Sequence, residues 1–115
     1  MPKFIFSHRS AKEYDTMTDP EALPAWARFL SEVIAPTVVD PGWPVFEPST
    51  VIGEAGPSTH LGGYSIVTVD NLEDAVALAE RCPTIERAGG VEIGLLADLP
   101  TGHPAEQMRA RLAGA

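Results

Sequence analysis

The chain opens on a strict alternation. In Lys3-Phe-Ile-Phe-Ser-His8, Phe4, Phe6 and His8 share one face and Lys3, Ile5 and Ser7 the other, the two-residue period of a strand. Residues 9–18 are polar, with Ser10, Lys12, Glu13 and Asp15, and predict an exposed loop. The period then lengthens. Leu23, Trp26, Ala27, Leu30, Val33 and Ile34 recur at the spacing of one helix face. Thr18-Asp19-Pro20-Glu21 is a capping-box pattern with proline in the first turn. Pro24 would clash inside a helix, which predicts a preliminary turn before the main helix, and Pro36 ends it.

Four prolines and glycines (Pro41, Gly42, Pro44, Pro48) make residues 40–48 turn-rich, with Trp43 and Phe46 available as core plugs. A short strand is predicted over 49–53 and a hairpin loop over 54–58. The clearest strand follows at 62–69, Gly-Gly-Tyr-Ser-Ile-Val-Thr-Val. Gly62-Gly63 leads into a strand and not into a helix N-terminus, so it predicts a bulge or tight closure and not a phosphate loop. Asn71 caps a second helix with Glu73 and Asp74 in its first turn and Leu72, Ala75, Val76 and Ala79 on one face; Pro83 stops it. Residues 91–96 form the last strand, with Val91, Ile93 and Leu95 alternating against Glu92 and Gly94. Pro104 to Leu112 predicts a short tail helix with Met108 and Leu112 one turn apart.

The order β-α-β-β-α-β predicts an α+β, ferredoxin-like domain over residues 1–100, with a tail over 101–115. Right-handed crossovers give a four-stranded antiparallel sheet with both helices on one face. The other face stays uncovered, and on either parity it is apolar: Ile5, Val67, Val69 and Leu96, or Phe4, Phe6, Ile66 and Ile93. Such a face predicts a homodimer, sheet to sheet, about a two-fold axis.

Composition narrows the function classes. The 115 residues are 44% hydrophobic and 21% charged, within the range of a single globular domain. A net charge of −8 repels phosphate backbones and anionic lipid surfaces, so neither nucleic acid nor membrane is an expected partner. Cys82 is the single cysteine, which excludes an internal disulfide and a thiolate metal cage and suits a reducing cytoplasm. The N-terminal apolar run is too short for a secretory leader.

The stretch Leu61-Gly-Gly-Tyr-Ser-Ile-Val-Thr-Val-Asp-Asn-Leu-Glu-Asp-Ala-Val-Ala-Leu-Ala-Glu-Arg-Cys-Pro83 resembles the hallmark segment of the YCII-related family, in its DGPF branch. Pro24-Ala-Trp26, Glu47-Pro-Ser-Thr50 and Gly90-Val-Glu-Ile93 are also similar to that branch. The resemblance implies a ferredoxin-like fold and a dimeric α+β barrel, without a settled activity. Two departures stand out. The Asp-Gly-Pro-Phe tetrapeptide is absent, with Glu54-Ala-Gly-Pro-Ser-Thr59 in its region. The helix histidine of the family's suspected acid–base dyad corresponds to Trp26, and indole cannot shuttle a proton.

His8 is the candidate acid–base residue, with Asp40 or Glu47 as the carboxylate that orients it. Tyr64, Ser65, Trp26 and His60 are candidate ligand contacts around a cleft between sheet and helices. His8, His60 and His103 lack any metal-ligand spacing, so no metal or other cofactor is expected, and His103 before Pro104 predicts a helix cap. Cys82 is expected to be a buried, inert thiol. Two functions follow: a small-molecule-binding dimer with acid–base activity at the cleft, or a non-catalytic dimeric interaction or regulatory protein.

Overall fold

The computed structural model describes residues 1–11, 19–45, 49–54, 59–87, 89–98 and 102–114. Among these residues the fold is α+β, with a four-stranded antiparallel open sheet and three α-helices. Its elements are β1 (Lys3–Ala11), α1 (Ala22–Arg28), a π-helical turn (Phe29–Val33), β2 (Val38–Asp40), β3 (Thr59–Thr68), α2 (Leu72–Ala79), a 3-10 turn (Ile85–Arg87), β4 (Gly90–Leu96) and α3 (Pro104–Ala113). The strand order is β2-β3-β1-β4. No helix among the described residues is long and apolar enough to cross a membrane.

β1 is a central strand, paired with β3 on one edge and β4 on the other. Phe4 faces Val67 and Leu95, and Phe6 faces Ser65 and Ile93. Residues directly opposite in an antiparallel pair share a face, so this register decides which parity is buried. Phe4, Phe6 and Val67 join Phe29, Val33, Ile34, Ala75 and Ala79 in one core, with Ile93 packed against it. Ile5, Ile66 and Leu96 fall on the other face. The two apolar sets expected from sequence are thereby re-sorted: Val67 belongs with Phe4 and Phe6, and Ile66 belongs with Ile5.

The core explains the π turn. Ile34 N–H donates to Phe29 O at 3.1 Å, five residues back. This widened turn lets Phe29, Val33 and Ile34 all reach the interior. Pro24 is the third residue of α1, where the backbone N–H would have no intrahelical partner, so the helix tolerates it. Asp19 does not cap the helix; its Oδ1 accepts from Glu21 N–H in the preceding turn and its Oδ2 binds Arg87 Nε at 2.9 Å. Thr18, the first residue of the expected capping box, lies outside the described residues. Asn71 caps α2 as expected, accepting from Asp74 N–H at 2.8 Å, and His103 Nδ1 caps α3 by accepting from Ala105 N–H at 3.0 Å. α3 itself has no buried residue, and Met108 and Leu112 are exposed.

Three expectations are corrected. β1 does not stop at His8 but runs to Ala11, because Arg9, Ser10 and Ala11 pair with Leu61, His60 and Thr59. The second strand is not 49–53 but Val38–Asp40, which carries two β-branched residues and pairs Val38 with Val67 and Asp40 with Ile66. Residues 49–53 pair with no strand among the described residues, and Ile52 is 91% exposed. Trp43 is no core plug, being 76% exposed. Phe46, and most of the 54–58 loop, lie outside the described residues.

Phe6→Ala should therefore destabilise the fold by about 3–5 kcal/mol. Ile52→Ser should stay within about 0.5 kcal/mol of the parent. Urea unfolding of both variants checks the two placements together.

Candidate functional site

A cavity of about 260 Å³ opens between α1, the segment after β2, and the β1–β3 ladder. Leu23, Trp26, Ala27 and Leu30 of the α1 region form one wall, and Pro41, Gly42, Trp43 and Pro44 form another. His8, Ser10, Gly62, Gly63 and Ser65 make the floor, with Tyr64 at the border. The face of α1 expected to be core is thus divided. Its N-terminal part lines the cavity, while Phe29, Val33 and Ile34 continue into the interior.

Glycine shapes this floor. The β1–β3 register shifts between His8 and Arg9, so that His8 faces Gly63 and Arg9 faces Leu61, leaving Gly62 as an extra residue on β3. Gly63 has φ 146°, a value L side chains rarely adopt. The segment after β2 closes on this point: Pro44 bridges to Gly63, and Val45 N–H donates to Gly62 O at 3.0 Å. Gly42, with φ 76°, lies so close to the Tyr64 backbone that any side chain there would collide with it.

His8 is in mid-strand, only 2% exposed, and both its ring nitrogens are engaged by the protein. Nε2 lies 3.1 Å from Ser65 Oγ, and Nδ1 lies 3.4 Å from Cys82 Sγ. The protons can be assigned from the partners. Ser65 Oγ is 3.0 Å from the Pro41 carbonyl, which can only accept, so the serine proton goes there. Ser65 must then accept from His8, which fixes the proton on Nε2. A neutral imidazole has one N–H, so Nδ1 is an acceptor and Cys82 donates its S–H to it. Thr84 Oγ1, 3.2 Å from the sulfur, donates onward to Gly90 O at 3.3 Å.

The environment enforces neutrality. Trp26 meets the His8 ring edge-on, with centroids 4.8 Å apart, and Phe29 does so at 6.2 Å. Burial pulls the His8 pKa from 6.5 down to about 4 and pushes the Cys82 thiol up. An imidazolium–thiolate pair is therefore disfavoured on both sides, and Cys82 is buried, as expected.

The remaining candidates are dispersed. Asp40 does not orient His8: its Oδ1 accepts from Gly42 N–H at 2.8 Å and its Oδ2 from the Tyr64 hydroxyl at 3.4 Å. Burial and this carboxylate push the Tyr64 phenol up. Glu47, the alternative orienter, lies outside the described residues. His60 is half-buried beside its own chain, with Nδ1 3.5 Å from Leu61 O, and does not line the cavity. Trp26 and Ser65 do line it. Ser10 lies in the floor, on β1, and not in the exposed loop expected over residues 9–18, because the alternation Phe4, Phe6, His8 continues to it unbroken. No group of three metal-ligating side chains occurs among the described residues.

A second hollow of about 490 Å³ lies between α1 and the end of α2. It mixes Arg28, Arg81 and Arg87 with Glu21 and Glu86, and Arg87 is bound to Asp19. Its charges offset one another, whereas the described lining of the first cavity carries no full charge.

Comparison with protein families, with curated proteins and with solved structures finds no match for this chain.

The His8 shift has a signed consequence. Folded His8 stays neutral down to about pH 4, whereas the unfolded chain takes up the proton near pH 6.5. Its contribution is complete above pH 6.5 and is lost as pH falls toward 4, by on the order of 3 kcal/mol. Urea unfolding of the parent and of His8→Asn between pH 7 and pH 4.5 should show a steeper fall in the parent. Nitrogen NMR should find the His8 proton on Nε2.

Proposed function

We propose that this chain is a small-molecule-binding protein whose cavity holds its ligand without acid–base catalysis by His8. The observation that carries this reading is the double engagement of the imidazole. A general base needs a lone pair facing the substrate. Here Nε2 gives its proton to Ser65 and Nδ1 receives one from Cys82. The cavity keeps the attributes of a binding site: concavity, aromatic and aliphatic walls, and a few polar groups in the floor. Ligand binding without chemistry unites the two functions expected from sequence in a regulatory dimer.

The sheet order β2-β3-β1-β4 supports a ferredoxin-like arrangement. With the resemblance of residues 61–83 to YCII-related proteins, it supports a homodimer of the α+β barrel type. The open sheet face carries Ile5, Ile66 and Leu96 together with Lys3 and Glu92, apolar residues with charges of both signs. Such a patch can face itself across a two-fold axis. The lone thiol suits a reducing cytoplasm.

Sedimentation equilibrium should give the mass of two chains, and Ile66→Lys should give one; a parent monomer at micromolar concentration contradicts the dimer. For the cavity, toluene is a suitable probe. It should shift the indole N–H signals of Trp26 and Trp43 saturably, and Ala27→Trp, at an exposed position on the cavity wall, should abolish the response. Spectra of the parent that do not move would overturn the binding reading.

A further inference from the structure

The geometry points to the chemistry of the ligand: an uncharged, largely apolar ring compound with one hydroxyl or carbonyl group, held by the Ser10 hydroxyl. This rests on the binding reading of the same cavity. Three observations converge on it.

The first is an unused polar group. Ser10 lines the cavity and is only 7% exposed, yet its hydroxyl makes no hydrogen bond among the described residues. Every fully sealed side-chain oxygen or nitrogen among those residues does have a partner. The Ser10 oxygen is therefore not sealed, and the cavity is the space that reaches it. His8 and Ser65, the neighbouring polar floor residues, have committed their protons to each other and to Pro41. Ser10 is left as the side chain with a donor and an acceptor to offer.

The second is the space kept above it. A Cβ at Gly62 would stand 2.9 Å from Ser10 Oγ. Any larger residue at the extra position of β3 would cap the hydroxyl, and glycine leaves it open.

The third is the absence of charge in the described lining, where the histidine is held neutral and the walls are Leu23, Trp26, Leu30 and Trp43. An ion entering this cavity would lose water and find no counter-charge among those residues. A neutral ring would gain from the aromatic walls. The volume of about 260 Å³ admits one or two fused rings; a cavity of about 150 Å³ already accepts benzene.

Naphthalene, 1-naphthol and 1-naphthoate separate these features, with binding followed by tryptophan emission or calorimetry at pH 7.5. The parent should bind 1-naphthol about two- to tenfold more tightly than naphthalene, the yield of one hydrogen bond, and 1-naphthoate at least tenfold more weakly than 1-naphthol. Ser10→Ala should reduce 1-naphthol to the naphthalene level while leaving naphthalene within twofold. Gly62→Ala should reproduce that loss by covering the hydroxyl. If the parent binds none of the three, the cavity reading itself falls. If naphthalene binds but 1-naphthol has no advantage, or keeps it in Ser10→Ala, the role of Ser10 falls and the cavity stands. Tightest binding of 1-naphthoate would overturn the uncharged class.

Discussion

A neutral imidazole buried in the middle of a central strand must place one donor and one acceptor, and much of this molecule is arranged around that requirement. The acceptor takes the thiol at the end of α2, which ties that helix to β1. The donor meets Ser65 on the next strand, and Ser65 passes its own proton to Pro41, which ties down the segment after β2. One ring therefore joins four parts of the chain that are distant in sequence. Trp26 and Phe29 complete the enclosure by excluding water from its faces and edges. Burial of a polar group without partners would cost a few kcal/mol. Here each partner is supplied by an element whose position the ring then helps to fix.

The cavity is a by-product of the same geometry. α1 lies close enough to the sheet to bury Phe29 but not to fill the space above Ser10, and the turn from Pro41 to Pro44 closes the far side. The bulge on β3 coincides with the place where that turn is hydrogen-bonded to the sheet. Small residues are needed there because backbone approaches backbone. The chemical character of the space follows: polar groups lie in the strand floor, most of them satisfied among themselves, and the ring-bearing side chains stand around it.

Much of this frame is legible in the sequence, because alternation and helical spacing are local signals. Phe4, Phe6 and His8 announce a strand, Asn71 announces a cap, and Gly62-Gly63 announces a break in pairing. The second strand is harder. Val38–Asp40 is three residues long, too short to show a period, and it is defined by its partners on β3 and not by its own pattern. Ser49–Gly53 has an equally strand-like composition but pairs with no strand among the described residues. The site is less legible still. Nothing local indicates that Cys82 reaches His8 across 74 positions, or that Asp40 turns to Gly42 and Tyr64. Ser10 shares the parity of His8, but the polar residues that follow it give the local pattern of a loop.

The extra glycine of β3 also decides which residues precede it on each side of the sheet. Up to His8, partners on β1 and β3 have position numbers adding to 71, as in His8 and Gly63; from Arg9 onward they add to 70, as in Ser10 and His60. The strand is in effect turned over at that point. His60 shares the helix-facing side with Ser10, and Leu61 shares the open side with Arg9. Were Gly62 instead paired opposite Arg9 in one unbroken register, the two would be exchanged, setting Leu61 beside Ser10 and His60 on the face proposed to meet a second copy. The bulge thus acts as a frameshift in three dimensions, sorting a polar and an apolar neighbour to opposite sides by one residue of chain.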